Sequence, residues 1–254
     1  MGRALATMMP NVSFLSHGEV CGPEAFDGYD TVVNLALDPR YMNTAYNREF
    51  DFERRIGEMV VPLDCRLIMI SSRKVYAPEV ALGVCETAPT EGCDVYGRNK
   101  RNTENYLLDA LQDRLTVLRL GNVAGFDMGQ QKLTFMPQML SSLQSNGRIV
   151  FDVNPFTRRD FITDAAVIRG IIGVVERKLS GIYNLGSGVG LEIGQLAMWL
   201  IEGYGRGELL IQSPSIRDEF FLDVTKLETE IGTLCGVDEI RTVCLEAGRR
   251  LAGA

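Results

Sequence analysis

The sequence predicts an α/β protein whose core is a doubly wound parallel sheet. Short apolar runs alternate with longer helical patterns along most of the 254 residues, and this alternation is typical of strand–helix–strand units. Residues 30–36, 67–70, 115–120 and 182–185 form short runs rich in Val, Leu and Ile. Such runs are typical of parallel strands that are covered on both faces.

Amphipathic stretches between and after these runs predict helices at residues 47–59, 97–111, 165–178 and 191–204. In the second stretch Leu107 and Leu111 fall on one side, while Arg98 and Asp109 can face water. The last fifty residues have a less regular pattern, which favours a smaller, mixed lobe.

The composition argues against several classes of function. Hydrophobic residues make up 46% and charged residues 23% of the chain, as in ordinary globular proteins. The net charge of −7 and the lack of a basic block argue against a nucleic-acid partner. No apolar run approaches the roughly 18 residues of a membrane span. Residues 1–10 lack the apolar core of a signal peptide, so we expect a cytoplasmic location.

The cysteines and the histidine offer little material for a metal site. Six cysteines are scattered without a Cys-x-x-Cys pair, and His17 is the single histidine, so reduced thiols are the simpler interpretation. One histidine also argues against a Ser-His-Asp hydrolase.

Tyr96 and Lys100 are the strongest candidates for catalysis. Four helical residues turn the chain by roughly 400°, so the two side chains project only about 40° apart and can reach one cavity. A nearby ammonium favours phenolate over phenol, which suits a tyrosine that gives and takes protons. A hydroxyl such as that of Ser72 could hold the oxygen that gains or loses the proton.

Small or polar residues follow three of the predicted strands. They are Asn34 to Ala36 after the first run, Ser71 and Ser72 after the second, and Gly121 and Asn122 after the third. Ligands of open α/β sheets bind outside the carboxyl ends of the strands. Strands also often stop in small residues for no functional reason, so this pattern alone leaves both interpretations open.

Five segments appear in the order expected of extended short-chain dehydrogenases/reductases, which the sequence therefore resembles. They are Ile-Ser-Ser-Arg-Lys-Val-Tyr at 70–76, Tyr-Gly-Arg-Asn-Lys at 96–100, Leu-Arg-Leu-Gly-Asn-Val-Ala-Gly at 118–125, Arg-Arg-Asp-Phe-Ile at 158–162 and Gly-Ile-Tyr-Asn-Leu-Gly-Ser-Gly at 181–188. This family is also called the NAD-dependent epimerase/dehydratase family, and its members mostly act on nucleotide sugars.

The resemblance covers nearly the whole chain and implies a domain organisation. Residues 1–126 and 160–187 would form a Rossmann-like cofactor domain. Residues 127–159 and 188–254 would form a smaller substrate-binding lobe. The family also implies a homodimer that packs through the helices at 47–59 and 97–111.

The resemblance implies a role for each catalytic candidate. Ser72, three residues before Val75, matches the catalytic serine or threonine and would also touch the substrate. Tyr96 would be the acid and base, and Lys100 would bind the nicotinamide ribose of NAD or NADP.

The resemblance also implies binding residues. For the cofactor these are Gly2, Asn34, Leu35, Ala36, Asn47 and Ser71, together with Tyr96 and Lys100. For the nucleotide or diphosphate of the substrate they are Asn122, Arg159 and Arg217, together with Ser72. Three of these residues also have a purely structural interpretation. Ser71 could simply end a strand, Asn122 could simply bond local backbone, and Arg159 could be solvated surface.

The sequence departs from the family pattern at the phosphate-binding loop. The family has Gly-x-x-Gly-x-x-Gly after its first strand, whereas here Gly2 matches only the last glycine. We therefore expect the first strand to be missing and dinucleotide affinity to suffer. Residues 11–16 resemble the second strand, yet no acidic residue ends them, so NAD and NADP both stay open.

The reaction type follows from a second departure. Nucleotide-sugar 4,6-dehydratases of the family place an Asp-Glu pair after the catalytic serine or threonine, whereas Arg73 and Lys74 stand here. Two cations cannot serve as that acid and base. A 4-ketoreductase or a 4-epimerase of nucleotide sugars remains. The alternative, favoured by the missing loop, is a degenerate member that binds a nucleotide or a protein without catalysis.

Overall fold

The computed structural model describes residues 5, 7–9, 11–125, 135–215 and 218–253. Its strands are β1 (Thr31–Asn34), β2 (Arg66–Ser72), β3 (Leu82–Val84), β4 (Leu115–Leu120), β5 (Asn122–Ala124), β6 (Arg148–Phe151), β7 (Arg158–Thr163), β8 (Gly181–Leu185), β9 (Gly190–Glu192), β10 (Glu208–Ile211) and β11 (Phe221–Leu222). Its helices are α1 (Phe52–Val60), α2 (Val95–Leu111), α3 (Phe135–Asn146), α4 (Asp164–Glu176), α5 (Ile193–Tyr204), α6 (Thr225–Ile231) and α7 (Val237–Ala252).

The chain divides into two compact units. The first unit comprises Met1–Val80, Cys85–Leu120 and Ile168–Leu185. The second unit comprises Ala81–Val84, Gly121–Val167 and Gly186–Ala254.

A parallel sheet forms the centre of the first unit. Its strand order is β1-β2-β4-β8, and every neighbouring pair is parallel. The segments between these strands include the helices α1 and α2, as βαβ connections require. The predicted α/β class with a parallel sheet is confirmed.

One face of this sheet is packed against α1 and α2. Alternate residues of a strand face the same side, and β2 and β4 contribute a row of fully buried side chains there. The helices contribute residues spaced three to four apart. The buried cluster comprises Phe26, Ile56, Val60, Cys65, Leu67, Met69, Leu107, Leu111, Leu115 and Val117.

Polar side chains set the ends of β1 and α1. The Asn34 side chain closes a turn by accepting a hydrogen bond from the Ala36 amide at 3.0 Å, so β1 ends at Asn34 and not at residue 36. Asp51 caps α1 by accepting from the Arg54 amide at 3.0 Å. The helix therefore begins at Phe52, and residues 48–50 form a separate 3-10 turn.

The strand predicted at residues 11–16 is wrong. These residues form no regular strand, and Val12 and Phe14 remain 37% and 54% exposed. A strand needs a hydrogen-bonded neighbour, and no described strand pairs with this segment.

The second unit combines three small sheets. β7 pairs with β5 in parallel and with β9 in antiparallel orientation, while β6 pairs with β10 and β3 with β11. α5 packs along α7. Trp199 of α5, the single tryptophan of the chain, is 7% exposed.

The outer face of α2 is polar. Arg98, Asn102, Asn105 and Asp109 are exposed on it, and such a face lacks the apolar stripe that a stable helix-mediated interface normally has. The homodimer therefore stays a prediction.

Among the residues that the structure describes, no helix is long and apolar enough to cross a bilayer.

Asp160 of β7 holds the second unit together. Its fully buried carboxylate accepts from the amide and hydroxyl of Ser187 at 2.8 and 2.9 Å, and from the amides of Gly188 and Leu222 at 3.2 and 3.1 Å. One side chain thus ties β7 to the loop before β9 and to β11. Such buried acceptors are costly to remove, because the donors are left without partners.

We expect Asp160→Asn to destabilise the second unit by about 2–5 kcal/mol, because an amide cannot accept from all four donors. Urea unfolding followed by Trp199 fluorescence measures this loss. Asp238→Asn, at an exposed position in the first turn of α7, is the control and should cost at most about 1 kcal/mol. Equal losses in the two variants would contradict the assigned role.

Candidate active site

The end of β2 and the beginning of α2 meet in the first unit. β2 ends at Ser72, whose hydroxyl accepts a 3.3 Å hydrogen bond from the Lys74 amide and so caps the 3-10 turn Arg73–Val75. Tyr96 lies in the first turn of α2. The two candidate catalytic side chains therefore sit on elements that pack directly against each other.

Gly97 makes this packing possible. A Cβ atom at this position would collide with the carbonyl oxygen of Lys74, so only glycine lets the helix approach the turn so closely. The amide of Cys93 also donates to that carbonyl, at 2.9 Å. The contact therefore brings the turn that follows Ser72 against the helical turn that carries Tyr96.

Asp94 and Lys74 also hold the start of α2 against the turn after β2. Asp94 caps α2 by accepting from the Gly97 amide at 2.8 Å, and its other oxygen is 2.5 Å from Lys74 Nζ. Partial burial opposes ionisation, but the Lys74 ammonium and the Gly97 amide hold the pKa of Asp94 below its ordinary value. Lys74, which stands where the family's dehydratases have an acid, therefore has a structural partner here.

Lys100 is buried beneath Tyr96. Its Nζ donates to the carbonyl of Ile70 at 2.7 Å and lies 3.3 Å from Glu53 Oε2 and 6.0 Å from the centre of the Tyr96 ring. Burial acts to lower the pKa of Lys100, but Tyr96 and Glu53 together raise it above its ordinary value. The lysine therefore stays an ammonium.

Glu53 is a member of this site that the sequence reasoning missed. The side chain is buried on α1, and burial raises its pKa to about 7, although the Lys100 ammonium and the Asn34 amide act against that rise. A signal was present: Glu53 is three residues before Ile56 and seven before Val60, so helical periodicity puts it on the buried face.

The ring of Tyr41 packs against the ring of Tyr96. The two rings meet edge to face with centres 6.3 Å apart. The Tyr41 hydroxyl is 2.6 Å from the Thr103 hydroxyl, which in turn donates to Asp51 at 2.5 Å. Asn99 donates to the Tyr41 carbonyl at 2.7 Å. This network holds the ring in one orientation.

The predicted cofactor residues of the first unit have distinct environments. Asn34 is buried and bonded to Ala36, while Leu35 and Ala36 are partly exposed. Asn47 is exposed and caps the turn at 48–50 through the Glu49 amide, at 2.9 Å. Gly2 lies outside the described residues.

Ser71 belongs to a buried polar cluster. Its hydroxyl donates to Glu104, and Glu104 forms a 2.7 Å ion pair with Arg119. Arg119 also donates to the Glu86 carbonyl at 3.0 Å and lies over the Tyr76 ring. The hydroxyl of Ser71 is therefore committed to the core, whereas Ser72 is only partly buried.

A cavity of about 400 Å³ lies in the second unit. Arg159 lines it, with Nε donating to the Asp218 carbonyl at 3.1 Å and its guanidinium 5.0 Å from the centre of the Phe135 ring. Phe135 stacks on Phe151, with ring centres 5.8 Å apart. The lining of the cavity therefore combines the guanidinium of Arg159 with the aromatic rings of Phe135 and Phe151.

Of the two other predicted substrate residues, the structure describes one, Asn122. Asn122 begins β5, opposite Phe161 of β7, and is partly exposed. Arg217 lies outside the described residues.

The fold is that of enzymes that act on nucleotide sugars. No family model and no curated protein matches the sequence, but many solved structures are similar in fold. About one residue in five is identical in these matches, so they establish the fold and leave the activity open. The Rossmann-like fold that the five motifs imply is thereby confirmed.

Three of these structures illustrate the likeness. An NAD-dependent NDP-hexosamine 5,6-dehydratase of tunicamycin biosynthesis has a TM-score of 0.75 at 20% identity, over 90% of this chain and 80% of that one. The UDP-N-acetylglucosamine 4-epimerase of Methanobrevibacter ruminantium has 0.75 at 18%, over 89% and 78%. The UDP-glucuronic acid 4-epimerase of Bacillus cereus, in complex with UDP-glucuronic acid and NAD, has 0.72 at 17%, over 90% and 78%.

We expect the buried Glu53 to make stability depend on pH. The carboxyl group ionises at about 4.5 in the unfolded chain and at about 7 in the folded one. Its contribution is therefore complete below pH 4.5 and is lost as the pH rises through 7. Relative to Glu53→Gln, the native protein should lose up to about 3 kcal/mol across this interval.

Thermal unfolding at several pH values, followed by circular dichroism, measures this difference. Glu58→Gln is the control, because Glu58 is a partly exposed carboxylate on the same helix that pairs with Arg48 and Arg54. A difference between native protein and Glu53→Gln that does not vary with pH would contradict the expectation.

Proposed function

We propose that the protein is an NAD(P)-dependent nucleotide-sugar 4-epimerase or 4-ketoreductase. The observation that carries this proposal is the junction of β2 and α2, where Tyr96 and the buried Lys100 ammonium lie together and Ser72 flanks the same backbone contact. The proposal is supported by the likeness in fold to enzymes that act on nucleotide sugars.

The residues around Lys100 fit a nicotinamide ribose. Among the described residues Lys100 uses two of its three N–H bonds, toward Ile70 and Glu53, and the third is available for a ribose hydroxyl. The partly exposed turn at Leu35 and Ala36 would border the same group. When bound, the dinucleotide supplies a hydride acceptor or donor. NAD in the names of two similar structures favours NAD over NADP.

Tyr96 would move the proton and Ser72 would hold the sugar oxygen. In a reductase Tyr96 gives its proton to the oxygen of the keto group while the Ser72 hydroxyl donates to the same oxygen. In an epimerase Tyr96 first takes the proton of the 4-hydroxyl and later returns it. In both cases the ammonium of Lys100, which lies 6.0 Å from the centre of the Tyr96 ring, would offset negative charge that develops on the phenol oxygen during the transfer.

Dehydration of the 4,6 type is not part of the proposal. It needs an acid and a base directly after the catalytic hydroxyl residue, and Arg73 and Lys74 are cations. Lys74 is also engaged by Asp94 at 2.5 Å. Redox chemistry at one sugar carbon is what these residues support.

The nucleotide would bind in the cavity of the second unit. A guanidinium can form paired hydrogen bonds with a diphosphate, and Arg159 lines the cavity. Phe135 and Phe151 offer an aromatic surface for a base. The role of Arg159 stays a proposal, as do those of Asn122 and Arg217.

We expect Tyr96→Phe to lower turnover by about 10²–10⁴-fold, the usual contribution of general acid–base catalysis. The assay offers NAD with UDP-glucose, UDP-glucuronic acid and UDP-N-acetylglucosamine, and NADH with a 4-keto nucleotide sugar. Net NADH consumption identifies a reductase, and a new epimer without net consumption identifies an epimerase.

Tyr106→Phe is the matched control, because Tyr106 lies on the same helix and packs beneath Arg54, 3.8 Å from that guanidinium. It should retain most of the activity. An inert native protein that still binds UDP would overturn the enzyme proposal and favour the alternative, a nucleotide-binding member without catalysis.

We expect Arg159→Met to weaken UDP binding about 10- to 100-fold, because a charge-assisted pair of hydrogen bonds is lost. Calorimetric titration with UDP measures the change. Arg158→Met is the control, because Arg158 is exposed and does not line the cavity, although each arginine has an acidic neighbour, Glu219 for Arg158 at 3.1 Å and Asp218 for Arg159 at 3.5 Å. Equal binding by both variants would remove Arg159 from the nucleotide site.

A further inference from the structure

Glu53 places a second buried charge next to the lysine of the proposed catalytic pair. The two side chains are 5% and 3% exposed, and Lys100 Nζ lies 3.3 Å from Glu53 Oε2. Proton transfer by Tyr96 does not itself require a carboxylate at this position. Burying an ion pair is costly, so its presence calls for a physical explanation.

The hydrogen bonds of Glu53 are incomplete. Oε2 faces Lys100, whereas Oε1 is buried and accepts no hydrogen bond from the described residues. A buried carboxylate with one unsatisfied oxygen is costly, and the neutral acid carries a smaller penalty. The surroundings thus favour a proton on Glu53 more strongly than water does.

The groups that face Glu53 come from every element around it. α2 contributes Lys100, the end of β1 contributes the Asn34 amide, the cap of α1 contributes Asp51, and the turn Pro39–Met42 contributes Tyr41. Lys100 is the single cation of this set. The centre of the Tyr96 ring lies 6.0 Å from Lys100 Nζ.

The Glu53 carboxyl group and the Tyr96 ring thus share one ammonium, which lies 3.3 Å from Glu53 Oε2 and 6.0 Å from the centre of the ring. An opposite charge within about 4–6 Å favours the charged form of its neighbour, so Lys100 acts on both Glu53 and Tyr96. When Glu53 is ionised, its charge opposes part of the effect of Lys100 on the phenol. When Glu53 is neutral, the phenol experiences the full ammonium charge.

We propose that Glu53 is a positioning residue for the Tyr96–Lys100 pair: its carboxyl group holds the Lys100 ammonium at the end of β2, and its proton determines how strongly Lys100 acts on Tyr96. This inference rests on the proposed function of Tyr96 and Lys100. Its consequence is a proposed catalytic pair whose local charge changes with pH through a third residue, which lies against Lys100 and not against the Tyr96 ring.

The chain is well suited to a direct test, because it has five lysines: Lys74, Lys100, Lys132, Lys178 and Lys226. Protein labelled with ¹³C and ¹⁵N at lysine gives few side-chain resonances, and the loss of one signal in Lys100→Arg assigns Lys100. We expect the Cε and Nζ resonances of Lys100 to shift in a single step centred near pH 7, about where the Glu53 carboxyl group ionises.

In Glu53→Gln this step should disappear, and Lys100 should begin to lose its own proton at a lower pH than in the native protein. Glu58→Gln should keep the native titration, because its carboxylate pairs with Arg48 and Arg54 on the same helix. A step that persists in Glu53→Gln would overturn the proposal.

The native protein alone also provides a decisive result, should Glu53→Gln not fold. Lys100 resonances that stay constant from about pH 5.5 to 8.5, an interval that includes the expected ionisation, would overturn the proposal. The titration uses neither cofactor nor sugar. Failure of the proposed enzyme activity therefore leaves its outcome unaffected, and failure of the titration leaves the activity assay unaffected.

Discussion

The close backbone contact between the first turn of α2 and the turn after β2 is the constraint on which the candidate site depends. Gly97 permits it, because any side chain would collide with the Lys74 carbonyl. Asp94 and Lys74 secure it with a helix cap and an ion pair. This junction sets where α2 begins, and therefore where Tyr96 and Lys100 lie along the chain's path through the site.

Among its described residues, the first unit also contains two buried ion pairs. Lys100 with Glu53 and Arg119 with Glu104 are both almost fully buried ion pairs, and such pairs add little net stability. The two pairs differ in how completely they are satisfied. Arg119 and Glu104 are surrounded by further hydrogen bonds, which fits a structural role, whereas Glu53 leaves an oxygen without a donor. A buried polar atom without a hydrogen-bond partner calls for an explanation, and a functional role is one such explanation.

Much of the fold could be predicted because its signals are local. The strand at 115–120 has the predicted bounds, since a continuous apolar run between turn residues has one interpretation. The strand at 11–16 could not be judged locally, because pairing needs a neighbour elsewhere in the chain. Glu53 was missed for a related reason: an acidic residue on a helix is normally solvated, and its burial depends on which residue of another helix lies opposite. The assignments to Ser72, Tyr96 and Lys100 stay predictions until they are tested.

The ion pair between Lys74 and Asp94 also limits which substitutions position 74 can accept. A carboxylate at position 74 would remove the partner of Asp94 and bring two anions together at the start of α2. The same helix start carries Tyr96. Such a substitution would therefore weaken the start of the helix that carries the proposed acid and base, unless position 94 changed as well.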